Sequence, residues 1–305
     1  MRIRLFPLIL AACAVVSCRG PAQNGASVDP ALATLVPADT AILVGARLDK
    51  LRETPTYQKH FSTIPLPRLD EFTKETGLDP RKDIWEVLFA SNGSQSGVLM
   101  VRGKFATGEL EPRLQREGAT RTQYKGYGLF GDERNAMFFM NSSTALAGST
   151  PVLKTIIDNR DRSGGRIPAA LQPLVNSVPA HAQFWAVFTG SAIKLPFSDD
   201  STLGNLNQFI RSIDNGRFSA DLRNGLQFQA TGNCNNDAGA KQIHDALKGL
   251  IGLARLSTPE SRSELLRVYD GIEVKQDGRT VNVSASVGQD VVDTFVGTFT
   301  SGGRR

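Results

Sequence analysis

The sequence has few cysteines and histidines, three of each among 305 residues. They lie at scattered positions, which argues against a metal site built from several Cys and His ligands. Basic residues exceed acidic ones only slightly, 35 against 30, and they are dispersed along the chain. So small an excess does not indicate a nucleic-acid-binding protein. We therefore expect no metal, no other cofactor and no nucleic acid among its ligands.

Common catalytic motifs are also missing. The sequence contains no Gly-x-Ser-x-Gly, His-Glu-x-x-His, Cys-x-x-Cys or phosphate-binding Gly-x-x-x-x-Gly-Lys-Ser/Thr pattern. One short match is present: Ser191 and Lys194 have the Ser-x-x-Lys spacing, which on a helix places an amine beside a hydroxyl. The companion motifs Ser-Asp-Asn and Lys-Thr-Gly are absent, so we favour a polar strand end over a catalytic pair.

The N-terminal residues predict export. A short basic segment, Met1–Arg4, precedes an apolar run from Leu5 to Ser17. That run is too short to span a bilayer, which takes about 20 apolar residues. It predicts a secretory signal peptide over residues 1–17.

Two cysteines at the end of this run, Cys13 and Cys18, follow small residues. Both contexts resemble the lipobox of bacterial lipoproteins, in which the cysteine receives a diacylglycerol thioether before cleavage. Cleavage before Cys13 would leave a very short apolar core, whereas Cys18 leaves one of normal length. We therefore predict lipidation at Cys18, with Cys13 as the alternative. An ordinary signal peptide with incidental cysteines is the competing interpretation.

Residues 18–29 are small, polar and contain proline and glycine, which predicts a lipidated flexible tether. Arg19 is not the aspartate that retains lipoproteins at the inner membrane, so resemblance to bacterial sorting rules favours the outer membrane. The expected partners are the membrane, through the lipid, and an envelope protein or polymer. The protein would then face the periplasm or the cell surface.

The rest of the chain resembles one unit used twice. A Val-Pro-Ala turn precedes an apolar strand near Val36 and again near Val178, since proline fixes φ and is excluded from central strands. Later, two short strands lead into a helix from Pro151, and two more lead into a helix from about Gln289. This order predicts an internal duplication with an α+β fold, in which two similar units of antiparallel strands are covered by helices. The predicted units are residues 30–165 and 166–305.

Local patterns predict individual strands. Phe218 and Ala220 alternate with Arg217 and Ser219, which predicts a strand with one polar, solvent-facing side. The Asp277-Gly278 pair between apolar runs predicts a two-residue hairpin.

Other patterns predict helices. Apolar residues recur at helical spacing from Ile243 to Ala254. Thr258, followed by proline, is predicted to cap the next helix. Gly77 is predicted to end a helix over Leu69–Thr76 in left-handed geometry. A short helical turn after it is expected to present Trp85 to the core.

Two stretches carry a family resemblance. The segment Val36-Pro37-Ala38-Asp39-Thr40 resembles the opening of uncharacterised bacterial exported lipoproteins with tandem α+β units. The stretch from Glu75 to Asp83, followed by Trp85-Glu86-Val87-Leu88, is also similar to predicted lipoproteins of that kind. The resemblance implies an envelope location and the duplicated fold, and it implies no activity.

One segment has the composition of a contact surface. Arg121, Tyr124, Lys125 and Tyr127 place two aromatic rings and two cations close together. In one extended strand, Arg121, Gln123, Lys125 and Tyr127 would share a face. Tyrosine and arginine are enriched at interface hot spots, so these residues are the candidate partner contact. The alternative is an ordinary solvated strand face.

The remaining reactive groups predict little chemistry. His60, His181 and His244 have no carboxylate or hydroxyl neighbour at a useful spacing, and we expect surface or capping roles. Asp199-Asp200 is expected to be a solvated turn rather than a calcium loop. After processing at Cys18, Cys234 is the remaining unmodified cysteine. We expect an unpaired and inert thiol, since no neighbouring cation lowers its pKa.

Three classes of function follow. The favoured one is a lipid-anchored cell-envelope protein of non-enzymatic binding or structural type. The alternatives are a serine hydrolase acting on an envelope polymer through Ser191 and Lys194, and a periplasmic small-solute binding protein.

Overall fold

The computed structural model of this protein describes residues 25, 28–62, 67–93, 97–160, 166–190 and 212–302. It combines helices with an antiparallel β-sheet, which confirms the predicted mixture. The strands are β1 (Ile42–Arg47), β2 (Ile84–Ser91), β3 (Gly97–Gly103), β4 (Arg121–Tyr124), β5 (Tyr127–Gly131), β6 (Asn135–Asn141), β7 (Thr144–Ser149), β8 (Phe184–Thr189), β9 (Ile213–Asp221), β10 (Leu226–Cys234), β11 (Ile272–Asp277) and β12 (Thr280–Val287). The helices are α1 (Pro30–Ala33), α2 (Leu48–Arg52), α3 (Pro67–Thr76), α4 (Pro80–Asp83), α5 (Thr107–Arg116), α6 (Thr150–Asn159), α7 (Gln172–Ser177), α8 (Asp237–Ser257), α9 (Ser263–Asp270) and α10 (Gln289–Gly302), with a π-helical turn at Tyr57–Phe61.

The strands form one continuous sheet in the order β11-β12-β10-β9-β8-β1-β2-β3-β7-β6-β5-β4. β1 and β8 are neighbours in the interior of this sheet, and they pair antiparallel over Ile42–Ala46 and Phe184–Phe188. Strands from the earlier part of the chain extend from β1 toward one edge. Strands from the later part extend from β8 toward the other edge. We call the β1–β8 boundary the central seam.

Several local predictions are confirmed. Gly77 ends α3 with φ of 77°, in the left-handed region that glycine adopts without strain. Gly278, with φ of 53°, forms the hairpin between β11 and β12. The prediction for Thr258 is wrong, because this residue ends α8 and its hydroxyl donates to the Ala254 carbonyl instead of capping the next helix. That next helix begins at Ser263.

The core lies on both faces of the sheet. The front face, which carries Leu43 and Trp185, packs against α1, α6 and α7 in the largest buried cluster. On the back face, α8 packs through Ile243 against Cys234 and Val281 of the later strands. The back face of the earlier strands is partly covered by α5, as part of a cluster that contains Leu110, Phe139 and Ala145.

At the central seam, a glycine lies beneath a tryptophan. Gly45 of β1 is in register with Trp185 of β8, whose ring is 1% exposed. A Cβ atom added to Gly45 would lie 2.2 Å from Trp185 Cε2. The indole therefore occupies the space that any side chain at position 45 would need.

We expect Gly45→Ala to lower the free energy of unfolding by about 1–3 kcal/mol, because the Trp185 ring must leave its packed position. Urea unfolding monitored by tryptophan fluorescence measures this. Gly252→Ala is the matched control, since an added Cβ on this residue of α8 would meet no described atom within 4 Å beyond the local helix. That change should raise stability by about 0.5–1 kcal/mol. Equal stability of Gly45→Ala and the parent chain would contradict this account of the seam.

Candidate functional site

A break in the β2–β3 pairing places Trp85 at the surface. The register shifts between Ile84 and Glu86, so Trp85 lies in a β-bulge and is 40% exposed. The expectation that Trp85 enters the core is therefore wrong. A bulge reorients a side chain relative to the pleat of the strand. Here it brings the adjacent residues Trp85 and Glu86 to the wall of one pocket.

This pocket has a volume of about 370 Å³. It lies where the end of the predicted tether meets the fold, since Asp29 precedes α1 and its carboxylate caps that helix through the Ala31 amide. The lining residues are Asp29, Pro30, Arg47, Asp49, Trp85, Glu86 and Arg102. We refer to it as the Trp85 pocket.

Arg102 is held in a fixed position at one side of the pocket. Its Nε donates to Asp29 Oδ2 at 3.1 Å. Its Nη1 donates to the Ser143 carbonyl at 3.0 Å, and to the hydroxyls of Ser143 and Thr144 at 2.7 Å. These hydrogen bonds tie Asp29, the last residue of the predicted tether, to the strands β3 and β7.

Glu86 has an unusual electrostatic environment. It is in register with Arg47 on one side and Arg102 on the other. Its Oε1 accepts a hydrogen bond from the Asp29 amide at 3.3 Å. Burial raises the pKa of Glu86 to about 7, and the nearby charge of Asp29 adds to the rise. Near neutral pH this carboxyl is therefore present in both protonation states, and when protonated it can donate a hydrogen bond as well as accept one.

The Trp85 pocket is suited to binding a polar group that has a flat face. An exposed indole provides an apolar surface for stacking. Arginines and carboxylates beside it provide donors and acceptors in a fixed arrangement. A carboxyl with a strongly shifted pKa within a pocket is a common property of functional sites.

The protonation of Glu86 predicts a pH dependence of stability. Its pKa is raised from 4.5 in the unfolded chain to about 7 in the fold. Its contribution is therefore fully present below pH 4.5 and is lost as the pH rises through 7. We expect Glu86→Gln to gain about 2 kcal/mol relative to the parent chain between pH 5 and pH 8. Urea unfolding at the two pH values measures this difference, with Glu133→Gln, an exposed turn residue, as the control. If Glu86→Gln and the parent chain differ in free energy of unfolding by the same amount at both pH values, the raised pKa of Glu86 is contradicted.

The Arg121–Tyr127 segment is a hairpin and not one extended strand. β4 ends at Tyr124 and β5 begins at Tyr127. Lys125 and Gly126 form the turn, with φ of 45° and 88°. Arg121 and Gln123 share one side of β4, whereas Tyr127 is paired with Tyr124 on the other side. The expectation that Arg121, Gln123, Lys125 and Tyr127 share one face is therefore wrong.

The tyrosines of this hairpin have internal contacts. Both pack against the front-face core, and the Tyr127 ring lies 5.3 Å from that of buried Phe138. The Tyr124 hydroxyl donates to Asp158 at 3.1 Å, and Lys125 Nζ lies 2.6 Å from the same carboxylate. These contacts anchor the hairpin to α6. The role of these residues as a partner contact remains a prediction.

Each histidine has a carboxylate neighbour in space, which the spacing of residues in the sequence did not indicate. His60 Nε2 lies 2.9 Å from Asp293 and is 12% exposed, so it is not a surface residue. His181 Nε2 lies 3.5 Å from Asp221, and His244 Nδ1 lies 2.8 Å from the adjacent Asp245. The Asp293 carboxylate accepts hydrogen bonds from Lys59, His60 and Gln289. The bond from Lys59 in particular lowers the pKa of Asp293 to about 2. The His60 pair thus joins the π-helical turn to α10.

Cys234 is a free, buried cysteine at the end of β10. Burial raises the pKa of its thiol, and the charge of Asp214 raises it further. Both effects reduce the thiolate fraction and so agree with the expected low reactivity.

Other predicted sites lie outside the described residues: Cys13, Cys18, Ser191, Lys194 and the Asp199-Asp200 turn. Among the residues that the structure does describe, no group of three or more His, Cys, Asp or Glu side chains could hold a metal ion. No helix within those ranges is both long enough and apolar enough to cross a membrane.

Comparisons with known proteins give a likeness of fold. No protein-family model matches the sequence, and no curated protein is significantly similar to it. Crystal form III of TP0453 matches with a TM-score of 0.51 and 11% identity, over 90% of this chain and 99% of that chain. Crystal form I of TP0453 has a TM-score of 0.49 and 9% identity, over 91% and 98% of the two chains. At 11% identity the match to form III shows a shared fold alone.

Proposed function

We propose that this chain is an exported, lipid-anchored cell-envelope protein of the binding type, and that the Trp85 pocket is its binding site. The observation that carries the proposal is the β-bulge, which places an exposed tryptophan and a carboxyl of shifted pKa in one pocket. Bulges that reorient side chains next to a site are recurrent functional features. The proposed partner is an envelope polymer or an envelope protein that presents a flat polar group.

The position of the pocket supports this proposal. The predicted tether runs from Cys18 to Asp29, and Asp29 itself lines the pocket. Eleven extended residues span at most about 40 Å. A lipid on Cys18 would therefore keep the pocket within that distance of the membrane, with the outer membrane favoured.

We also propose that the fold arose by internal duplication, with units at residues 30–165 and 166–305. From the central seam, one side follows the order β1-β2-β3-β7-β6 and the other follows β8-β9-β10-β12-β11. The two sequences of strands correspond in chain order, with a helix after β3 and after β10, and another after β7 and after β12. The β4–β5 hairpin corresponds in position to α9, so the units differ there.

Two alternatives make different predictions. A serine hydrolase acting through Ser191 and Lys194 would be labelled covalently by a fluorescent penicillin. A small-solute binding protein would gain thermal stability from a metabolite, in proportion to the logarithm of its concentration. The binding proposal predicts neither result.

The anchor has a direct test. We expect the mature chain to begin with lipidated Cys18, because that position leaves an apolar core of normal length before the cleavage site. Cys18→Ser should abolish incorporation of radiolabelled palmitate in a bacterial host, while Cys13→Ser should leave it intact. Mass spectrometry of the N-terminal peptide identifies the site. A lipidated peptide beginning at Cys13 would overturn the site, and an unlipidated mature chain would overturn the anchored class.

The binding site is tested by photo-cross-linking in the anchored protein. A benzoyl-phenylalanine in place of Trp85 should form a discrete adduct with one envelope component, because that side chain lines the pocket. The same group in place of Leu256, which is 85% exposed on α8, is the matched control. Adducts of equal yield and pattern at the two positions would contradict the assignment of the pocket.

A further inference from the structure

The front face of the sheet changes character between β8 and β9, one strand beyond the central seam. On the earlier strands and β8 it carries the buried apolar side chains of the main core. On β10, β12 and β11 it carries polar side chains, many of which are exposed. These residues are Gln227, Gln229, Thr231, Asn233, Thr280, Asn282, Ser284, Ser286, Glu273, Lys275 and Asp277. We call this surface, together with Asn215 and Arg217 of β9, the polar front surface.

The opposite side of the same strands explains how they are stabilised without covering this surface. α8 packs on the back face against Cys234, Val274 and Val281. α10 packs through Val291 and Val292 in a cluster that contains Val287. An antiparallel sheet commonly keeps one face in water, so polarity alone does not indicate a ligand.

Arg217 departs from this ordinary arrangement. Its Nη1 is buried and has no hydrogen-bond partner among the residues that the structure describes. Its register neighbours on the front face are the fully buried Val187 and the half-buried Thr231. Burial lowers the pKa of its guanidinium, and no ion pair to Arg217 is formed by the residues that the structure describes. An unsatisfied buried donor on a charged group is costly, and a bound ion is one accepted explanation for such a group.

The nearby polar groups are already hydrogen-bonded to one another. Thr231 pairs with Asn282 at 3.0 Å, and Asn233 donates to Asn215 at 2.7 Å. Asp221, on the same side of β9, accepts hydrogen bonds from Arg223 and from Gln183. These contacts leave Arg217 Nη1 as the buried donor without an acceptor among the described residues.

We infer that the polar front surface binds an acidic carbohydrate, with Arg217 pairing a carboxylate of the sugar. This site is separate from the Trp85 pocket, since β8 and β1 lie between β9 and β2. The inference therefore goes beyond the proposed function and does not depend on it.

The chemistry of the surface determines this class of ligand. A guanidinium presents donors in a planar fork that matches a carboxylate. Asn, Gln, Ser and Thr side chains both donate and accept, as sugar hydroxyls require. The exposed Glu273 and Lys275 pair with each other at 2.7 Å, and the exposed Asp277 lies on β11, three strands away from β9. Arg217 is therefore the cation of the inner part of this surface. The surface is thus complementary to a hydroxyl-rich molecule that carries an anionic group.

Isothermal titration calorimetry of residues 19–305, the predicted mature chain without its lipidated cysteine, tests the inference. The probes are a galacturonate hexamer, a neutral maltohexaose and inorganic phosphate, at equal ionic strength. We expect the galacturonate hexamer to bind at least tenfold more tightly than maltohexaose. Binding of phosphate as tight as that of the hexamer would overturn the carbohydrate class, since the site would then take a bare oxyanion. Absence of galacturonate binding would overturn the inference as a whole.

Substitution of Arg217 separates binding from folding. Arg217→Met should weaken galacturonate binding at least tenfold while the melting temperature stays equal or rises, because an apolar chain replaces an unpaired buried charge. Arg279→Met, which removes one exposed charge from the β11–β12 turn, should change the affinity less than twofold. A fall of more than about 4 °C in the melting temperature of Arg217→Met would show that Arg217 is a structural residue and overturn the inference. Unchanged galacturonate binding by that variant would overturn it as well.

Discussion

The sheet depends on the contact between Trp185 and Gly45. This contact lies at the seam where strands from the two parts of the chain meet, and the indole is buried against a backbone with no side chain. A tryptophan buries more apolar surface than any other side chain, and here the indole fills the space over Gly45 that a side chain on β1 would otherwise occupy. The front-face core extends outward from it through Leu43 and Leu88 to Phe138. The contact between Trp185 and Gly45 therefore belongs both to the β1–β8 pairing and to the main core.

The helices cover the two sides of the seam differently. α6 packs on the front face beside Phe138, whereas α8 packs on the back face beside Cys234. As a result, the front face is an apolar core on one side and a solvated surface on the other. Arg217 lies at the transition between them, next to the last buried apolar strand. Because the helices cover the front face of the earlier strands and the back face of the later ones, the front face has a partly buried margin at β9. A charge at this margin is partly desolvated, which strengthens its interaction with a polar ligand.

Local sequence patterns predicted most of the helices, strands and turns. They failed for residues whose exposure depends on which strand lies beside them. Gly77 and Gly278 were predictable, because their conformations are set by the glycine itself. Trp85 was not, since the bulge arises from the pairing of β2 with β3. Ser219 was expected to face solvent but is 3% exposed, because the neighbouring strand places it beside Trp185. The Lys125-Gly126 turn did have a signal, a glycine between two short alternating runs, which is typical of a hairpin.

The Trp85 pocket and the polar front surface each contain a charged residue that is partly buried. Glu86 is a carboxyl whose pKa is raised by burial, and Arg217 is a guanidinium whose pKa is lowered by burial. We expect the fold to be at least as stable when Glu86 is replaced by a neutral residue or Arg217 by an apolar one. The stability of the fold alone therefore does not explain either residue. Both lie on the front face at the margins of its apolar core. Desolvated charged groups at the margin of a core are typical of binding sites, because desolvation strengthens their interaction with an incoming partner.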